Sequence, residues 1–408
     1  MSHLQKRLQL FRYPAFRFYL LSCIMSSLGS GLSYISITWM VLKDHNSVGS
    51  VAIAMLCFWA PGVILGPFMG VLVDRFPRRH LLIAASNWIR AIALIAFSIY
   101  LNKHNSLDAI YLLGLILGTF FSIYMPAMFR LTRELIPKHE LLYANATIDM
   151  VFEIGNIVGM GLAGFLIAWV SGPGTLMING ILFILGGAAL LFIRTKHLDI
   201  THADKRKFDV LGDFIAGLKY VMNHKPVMII YTVQLLFFLE YLTAPVLLAP
   251  YAKNVLHADV TQFGYIEAAL SVGAVVGGLF LVWFADIFGL MRTMIVCSIA
   301  LGISYVYFSH NQSLFVAEVL YFIIGVCFAM WPIIVTRAQH ITDINYQGRV
   351  QSCFNSISGM IMILIFLCVK FGSNYVTINM MYWIEVAFTL LSVVLMVLFE
   401  RKKHKDPH

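Results

Sequence analysis

Apolar residues recur along almost the whole chain in runs of about twenty, the length a helix needs to cross a bilayer core. Twelve such runs fall at 16–42, 48–73, 81–101, 108–130, 142–170, 175–194, 226–253, 261–286, 292–309, 313–340, 350–370 and 377–400. They are continuously apolar, whereas the strands of a membrane barrel alternate apolar and polar over about ten residues. Helices are therefore expected, because a helix satisfies its own backbone in a medium without water.

Composition agrees with that pattern. Of 408 residues, 60% are hydrophobic and 12% charged, against about 25% charged in soluble domains. The chain reads as an integral membrane protein. A formal charge of +9 could suggest a nucleic-acid partner, but the basic residues follow topology instead. Lys6, Arg7, Arg12 and Arg17 precede the first run, Arg75, Arg78 and Arg79 follow the second, and Arg133 and Lys138 follow the fourth. The stretches from Arg194 to Lys225 and from Arg401 to Lys405 enrich the same set, while the alternate connections hold Lys43, Lys103, Lys253 and Lys370. By the positive-inside rule both termini are cytoplasmic, the partner is the lipid bilayer, and no nucleic acid is expected. The six cysteines (Cys23, Cys57, Cys297, Cys327, Cys353 and Cys368) sit in apolar segments without CxxC spacing and read as small packing residues. The first run is longer than a signal-peptide core and reads as a retained helix.

The chain also repeats itself weakly. A single offset aligns Pro14 with Pro226, Tyr19 with Tyr231, Gly66 with Gly278, Phe68 with Phe280, Asp74 with Asp286 and Phe76 with Phe288. A slightly shorter offset aligns Pro126 with Pro332, with Arg130 and Arg337 just downstream. The expected organisation is an N-terminal six-helix half over 1–197, a cytoplasmic linker over 198–222 and a C-terminal six-helix half over 223–408. Within the linker, Phe208, Leu211, Ile215, Leu218 and Met222 recur at three and four, with Lys205, Arg206, Lys207 and Lys219 around them. That pattern suits a helix lying on the membrane surface; the alternative is a solvated tether.

One polar knot stands out between the second and third runs. Gly66, Gly70 and Asp74 are spaced one helical turn apart, a small-residue face ending in an acid, followed by Arg75, Arg78 and Arg79. Gly70-Val-Leu-Val-Asp74-Arg75-Phe-Pro77-Arg78-Arg79 resembles the helix 2–3 loop of the major facilitator superfamily, with Pro77 in place of the usual glycine. A worn copy runs from Gly278 through Asp286 to Gly289 and Arg292. The resemblance implies twelve helices in two pseudo-symmetric halves, alternating access, and a gating role for Gly66, Gly70, Asp74, Arg75, Arg78, Arg79, Asp286 and Arg292, in which carboxylate and arginine exchange partners between states. FRYPAFRFYLLSCIMSSLGSGL, SNWIRAIALIAF and PAMFRLTRELIPKHELLYANA are similar to the macrolide-efflux and enterobactin-exporter branch. Two departures are Ser30, where that branch often has an acid, and Gly159-Met160, where antiporters usually have Gly-Pro.

Ionisable residues at membrane depth are functional candidates. Arg90, Glu153 and Glu240 fall roughly ten to fifteen residues into their runs, near the midplane at about 1.5 Å of rise per residue. Asp149, one turn before Glu153, shares its face and could share Arg90. Those two acids divide between proton handling and a static ion pair. Glu240 has no charged neighbour within a turn, and a carboxylate so buried takes a proton more readily; proton coupling and contact with a cationic substrate both remain open. Glu267, Glu318 and Glu385 lie nearer the run ends and read as interfacial acids. Tyr34, Trp39, Tyr124, Phe237, Phe238, Tyr241 and Trp331 lie in the helices that the resemblance assigns to a substrate cavity, where aromatic walls suit bulky ligands. Pro126 and Pro332 mark expected bends.

The sequence offers no Walker loop, metal-ligand cluster or nucleophile elbow, so neither an enzyme nor a cofactor is expected. The reading is a monomeric, multi-pass transporter of the bacterial inner membrane that exports a bulky organic compound, drug-like or a siderophore, in exchange for protons. Lysophospholipid flipping and solute uptake are alternatives within transport. A sensor or structural subunit without flux is the alternative of another class.

Overall fold

A computed structural model describes residues 9–45, 47–137, 140–193, 210–343, 346–372 and 376–405, and every regular element among them is helical. A short 3-10 turn, Leu10–Arg12, leads into α1 (Pro14–His45), α2 (Val48–Arg75), α3 (Arg79–Leu101), α4 (Leu107–Leu135) and α5 (Leu141–Leu191). Then follow α6 (Val210–Asn223), α7 (Lys225–Asn254), α8 (Val260–Phe288), α9 (Leu290–His310), α10 (Leu314–Phe328), α11 (Trp331–Ile341), α12 (Gln347–Gly372) and α13 (Ile378–Lys405).

Eleven stretches among the described residues are long and apolar enough to cross a bilayer. The longest, Tyr143–Leu191, has 49 residues and at about 1.5 Å per residue would be more than twice as long as a core about 30 Å thick. It cannot cross once. Its backbone turns over at Ser171 (φ 69°, ψ 171°), inside Ser171-Gly172-Pro173-Gly174, and the two limbs are the expected fifth and sixth spans. Leu314–Ile341 counts as one crossing although the helix breaks between α10 and α11, directly before Pro332. Pro126, by contrast, lies inside the unbroken α4.

The chain divides into two compact units, Met1–Asn46 with Ile53–Lys205, and Ser47–Ala52 with Arg206–His408. In the first, α1 lies along α5, and α3 packs on both α4 and α5. Glycine makes the first contact possible. A methyl group on Gly31 would run into the Asn156 carbonyl, and one on Gly159 into that of Leu28, so the two backbones touch where those residues lack side chains. The Tyr19 hydroxyl then ties α1 to α4, donating to the Met128 carbonyl at 2.9 Å.

In the second unit α8 packs on α10, α9 on α13, and α7 on α13. Gly325 abuts the Leu270 backbone in the same glycine-to-backbone manner. Tyrosines supply the cross-ties: Tyr251 donates to the Phe308 carbonyl at 2.8 Å, and Tyr321 to that of Ala244 at 3.1 Å. Gly289, at φ +88°, ends α8 and starts α9, a backbone conformation that favours glycine.

Of the expected linker helix, α6 is described and packs on α12, where Gly217 meets the Arg349 backbone. Ile215 and Met222, two turns apart, remain exposed. The residues from Thr201 to Phe208 lie outside the described residues.

Candidate functional site

Among the described residues, three carboxyls are buried inside the second unit: Glu240 on α7 and Glu267 on α8, each 1% exposed, and Glu385 on α13, 3% exposed. Glu240 was expected at depth; Glu267 and Glu385 were expected at solvated ends, and the structure corrects that. They are eight residues into α8 and α13, but the faces that carry them turn into packed neighbours. Position along a helix fixes depth, not the facing direction. Of the three interfacial expectations, only Glu318 is partly exposed.

Glu240 and Glu385 belong together. Glu385 lies within electrostatic reach of Glu240, so the isolation of Glu240 inferred along its own helix does not hold in three dimensions. Both Glu240 oxygens are without a hydrogen-bond partner among the described residues, as is Oε2 of Glu385. The Thr243 hydroxyl, one turn after Glu240, lies 2.5 Å from Glu385 Oε1 and 2.8 Å from the Leu239 carbonyl oxygen. The wholly buried Tyr305 hydroxyl, also unpartnered, is within electrostatic reach of both carboxyls.

Among the described residues, the deeply buried charged side chain of the first unit is a cation. Arg90 is 2% exposed and does not meet an acid among the described residues. It donates to Asn87 Oδ1, and its guanidinium lies 4.3 Å from the Phe183 ring centre and 4.8 Å from that of Tyr124. Asn87 in turn donates to the Ser26 hydroxyl at 3.0 Å. The expected grouping with Glu153 is corrected: Glu153 is exposed, and two aromatic rings with one amide hold the guanidinium instead. Asp149 is in α5, and its side chain is outside the description.

Four of the candidate cavity aromatics meet. Phe237 stacks on Trp331 with centroids 6.3 Å apart, Phe238 lies 6.0 Å from Trp331, and Tyr241 meets Phe328 at 5.4 Å. Phe328, 5.7 Å from Phe237, completes that cluster. In the first unit Tyr124 belongs to a group centred on Phe121, which also touches Phe58, Trp59 and Phe152. Tyr34 and Trp39 are buried in α1. Sequence reasoning passed over Phe121 and Phe328, although each lies three residues from a chosen aromatic.

The candidate gate spans the end of α2 and start of α3. Gly66 and Gly278 are not close-contact points: no described atom comes within 4 Å of where a side chain would begin. Tight approaches to backbone fall elsewhere, at Gly31, Gly118, Gly159, Gly273 and Gly325 among others. Gly70, Asp74 and Arg75 belong to α2, with their side chains outside the description, and Arg78 is exposed where α3 begins. Arg79 forms an ion pair with Glu134 of α4, both side chains less than one-fifth exposed. Asp286 is exposed near the end of α8, and Arg292 approaches Glu400 at 3.9 Å on the surface. Glu134 was not singled out from sequence.

Against known proteins, the family model described as Major Facilitator Superfamily matches residues 19–253 and 230–408. The multidrug efflux pump Tap of Mycolicibacterium fortuitum is 23% identical over 352 residues, 83% of this chain and 84% of its own. The enterobactin exporter EntS of Shigella flexneri is 24% identical over 271 residues, 65% of this chain and 62% of its own. Among solved structures, a bacterial homologue of the iron transporter ferroportin in an inward-facing state has a TM-score of 0.72 at 16% identity, covering 98% of this chain and 99% of that one. At that identity the likeness is one of fold.

Proposed function

The chain belongs to the major facilitator superfamily as a multi-pass secondary transporter of small molecules, and from that premise we propose that it exports a bulky organic compound in exchange for protons. Its setting in this reading is the bacterial inner membrane, with both termini cytoplasmic. The observation that carries proton coupling is the Glu240–Glu385 pair: two buried carboxyls in spanning helices, with no basic side chain among the described residues within electrostatic reach of Glu240. An unpaired charge at such depth is expensive, so a site of this kind holds protons and gives them up when its surroundings change.

Export rather than uptake is supported by the relatives, one a multidrug efflux pump and the other an enterobactin exporter. Bulk is supported by the aromatic cluster of Phe237, Phe238, Tyr241 and Trp331, whose broad faces suit a large, partly apolar molecule. The gate is assigned to Asp74, Arg75, Arg78 and Arg79, with the Arg79–Glu134 pair fixing the start of α3 beside it.

The test compares compounds released by cells that make the protein with those released by cells that lack it. A bulky organic product enriched outside the producing cells, and retained inside the others, is the expected result. Identical released pools with altered uptake of an external solute would overturn export.

A further inference from the structure

The helix α6 is apolar on two sides, and the protein covers one of them. Gly217 abuts the Arg349 backbone of α12, and Tyr220 and Val221 pack on the buried cluster that includes Ile230, Ala338 and Val350. The opposite side is open: Ile215 and Met222 are 54% and 65% exposed, and Lys219 and Asn223 are exposed beside them. At about 100° of rotation per residue, Ile215 and Met222 lie within about 20° of each other, with Lys219 about 40° and Asn223 about 80° beyond Ile215. The open arc thus runs from apolar through basic to neutral polar, and Gly217 is behind it.

The place of α6 along the chain says what covers that arc. Only His224 separates it from the spanning helix α7, and there the backbone leaves the helical region (φ −120°, ψ 87°). So α6 ends where a membrane span begins, at the level where head groups give way to hydrocarbon. Two large apolar side chains with a lysine at their edge are what an interfacial helix presents: the apolar residues enter the acyl boundary, and the lysine stem carries its charge up to phosphate. The covered side is fastened to the second unit. The Tyr220 ring stacks on both Tyr346 and His224, with centroids 4.4 and 4.1 Å apart, and its hydroxyl accepts the Asp343 backbone N–H at 3.1 Å.

We propose that the Ile215–Lys219–Met222 face of α6 is a docking surface for the head-group layer of the membrane, with a preference for anionic phospholipid. Charge complementarity supplies the preference: Lys219, Lys225 at the start of α7 and Arg349 near the start of α12 are exposed, against one exposed acid, Asp343, among the described residues there. Through Gly217 and Tyr220 the seated helix holds the start of α12 at the membrane surface. Neither export nor proton coupling enters this inference, and only naming the leaflet as cytoplasmic rests on the reading above.

The experiment is photolabelling of the full chain in vesicles of phosphatidylcholine and phosphatidylglycerol in equal parts, with a diazirine near the top of the acyl chain of one lipid or the other and peptides read by mass spectrometry. The wild type should be labelled at Ile215 and Met222 and spared at Gly217 and Tyr220. Phosphatidylglycerol should label more than phosphatidylcholine at low salt, and Lys219→Gln should cut that ratio by about fivefold, the value of one lysine near an anionic surface, as should high salt. Equal labelling by the two lipids would overturn the anionic preference. Absence of lipid label on α6 would overturn the docking surface, and the reactivity of Ile215→Cys toward a water-soluble maleimide would then say what stands there: a fast reaction means water, a blocked one means protein, from the first unit or a second copy. The wild-type labelling decides without any variant. Transport is not measured, so failure of the export reading would leave this surface standing, and failure here would leave export untouched.

Discussion

Glu240→Gln is expected to abolish accumulation of substrate against a gradient while leaving exchange down a gradient partly intact. Glutamine resembles the neutral carboxyl in size and polarity but cannot release a proton. With one proton exchanged per substrate, each unit of pH difference is about 1.4 kcal/mol and supports a roughly tenfold concentration ratio. In the variant that ratio should fall to about one, because loading no longer depends on the proton. Flux measured in proteoliposomes at zero and at one unit of imposed pH difference separates the two effects. A variant that still builds the full ratio would remove Glu240 from the proton path.

Glu134→Ala is expected to cost more stability than Arg12→Ala. Arg79 and Glu134 are 13% and 19% exposed, so removing the acid takes an ion pair away from a largely buried guanidinium. Breaking a fully buried pair costs about 3–5 kcal/mol; with some solvent access about 2 kcal/mol is the expectation. In detergent that corresponds to a melting temperature lower by several degrees. Arg12 is 53% exposed and its partner Glu140 14%, so that pair is more open to solvent and its loss should lower melting by less. Equal effects of the two substitutions would contradict the distinction.

The spans were legible in the sequence because hydrophobicity along a helix is a one-dimensional property. The fifth and sixth were separable at Ser171-Gly172-Pro173-Gly174, where glycine and proline punctuate an apolar stretch. Glu240 was legible as a deep acid by counting. What counting could not give is direction around the helix axis. Glu385, only eight residues into α13, faces Thr243 rather than solvent. Arg90 seemed to need an acid and instead found Tyr124, Phe183 and Asn87; only Asn87, three residues before it, was close in sequence.

The glycine pattern teaches the same lesson. Gly66 and Gly70 have the spacing of a close helix contact, yet around Gly66 there is open space, while Ser27 and Gly31, at the same spacing, meet Gly155 and Gly159. Spacing identifies a face that could be approached, and the partner decides whether it is. The repeat was visible in the alignment of Pro14 with Pro226.

Proton-coupled export is tested most directly in proteoliposomes holding the full chain, given erythromycin as a bulky drug-like probe and enterobactin as a siderophore probe, with the membrane potential clamped. An imposed pH difference of one unit should drive at least one probe to the less acidic side's opposite, accumulating it about tenfold where protons are more abundant, and reversing the difference should reverse the accumulation. Movement of a probe at the same rate and to the same final ratio whatever the pH difference would contradict the account.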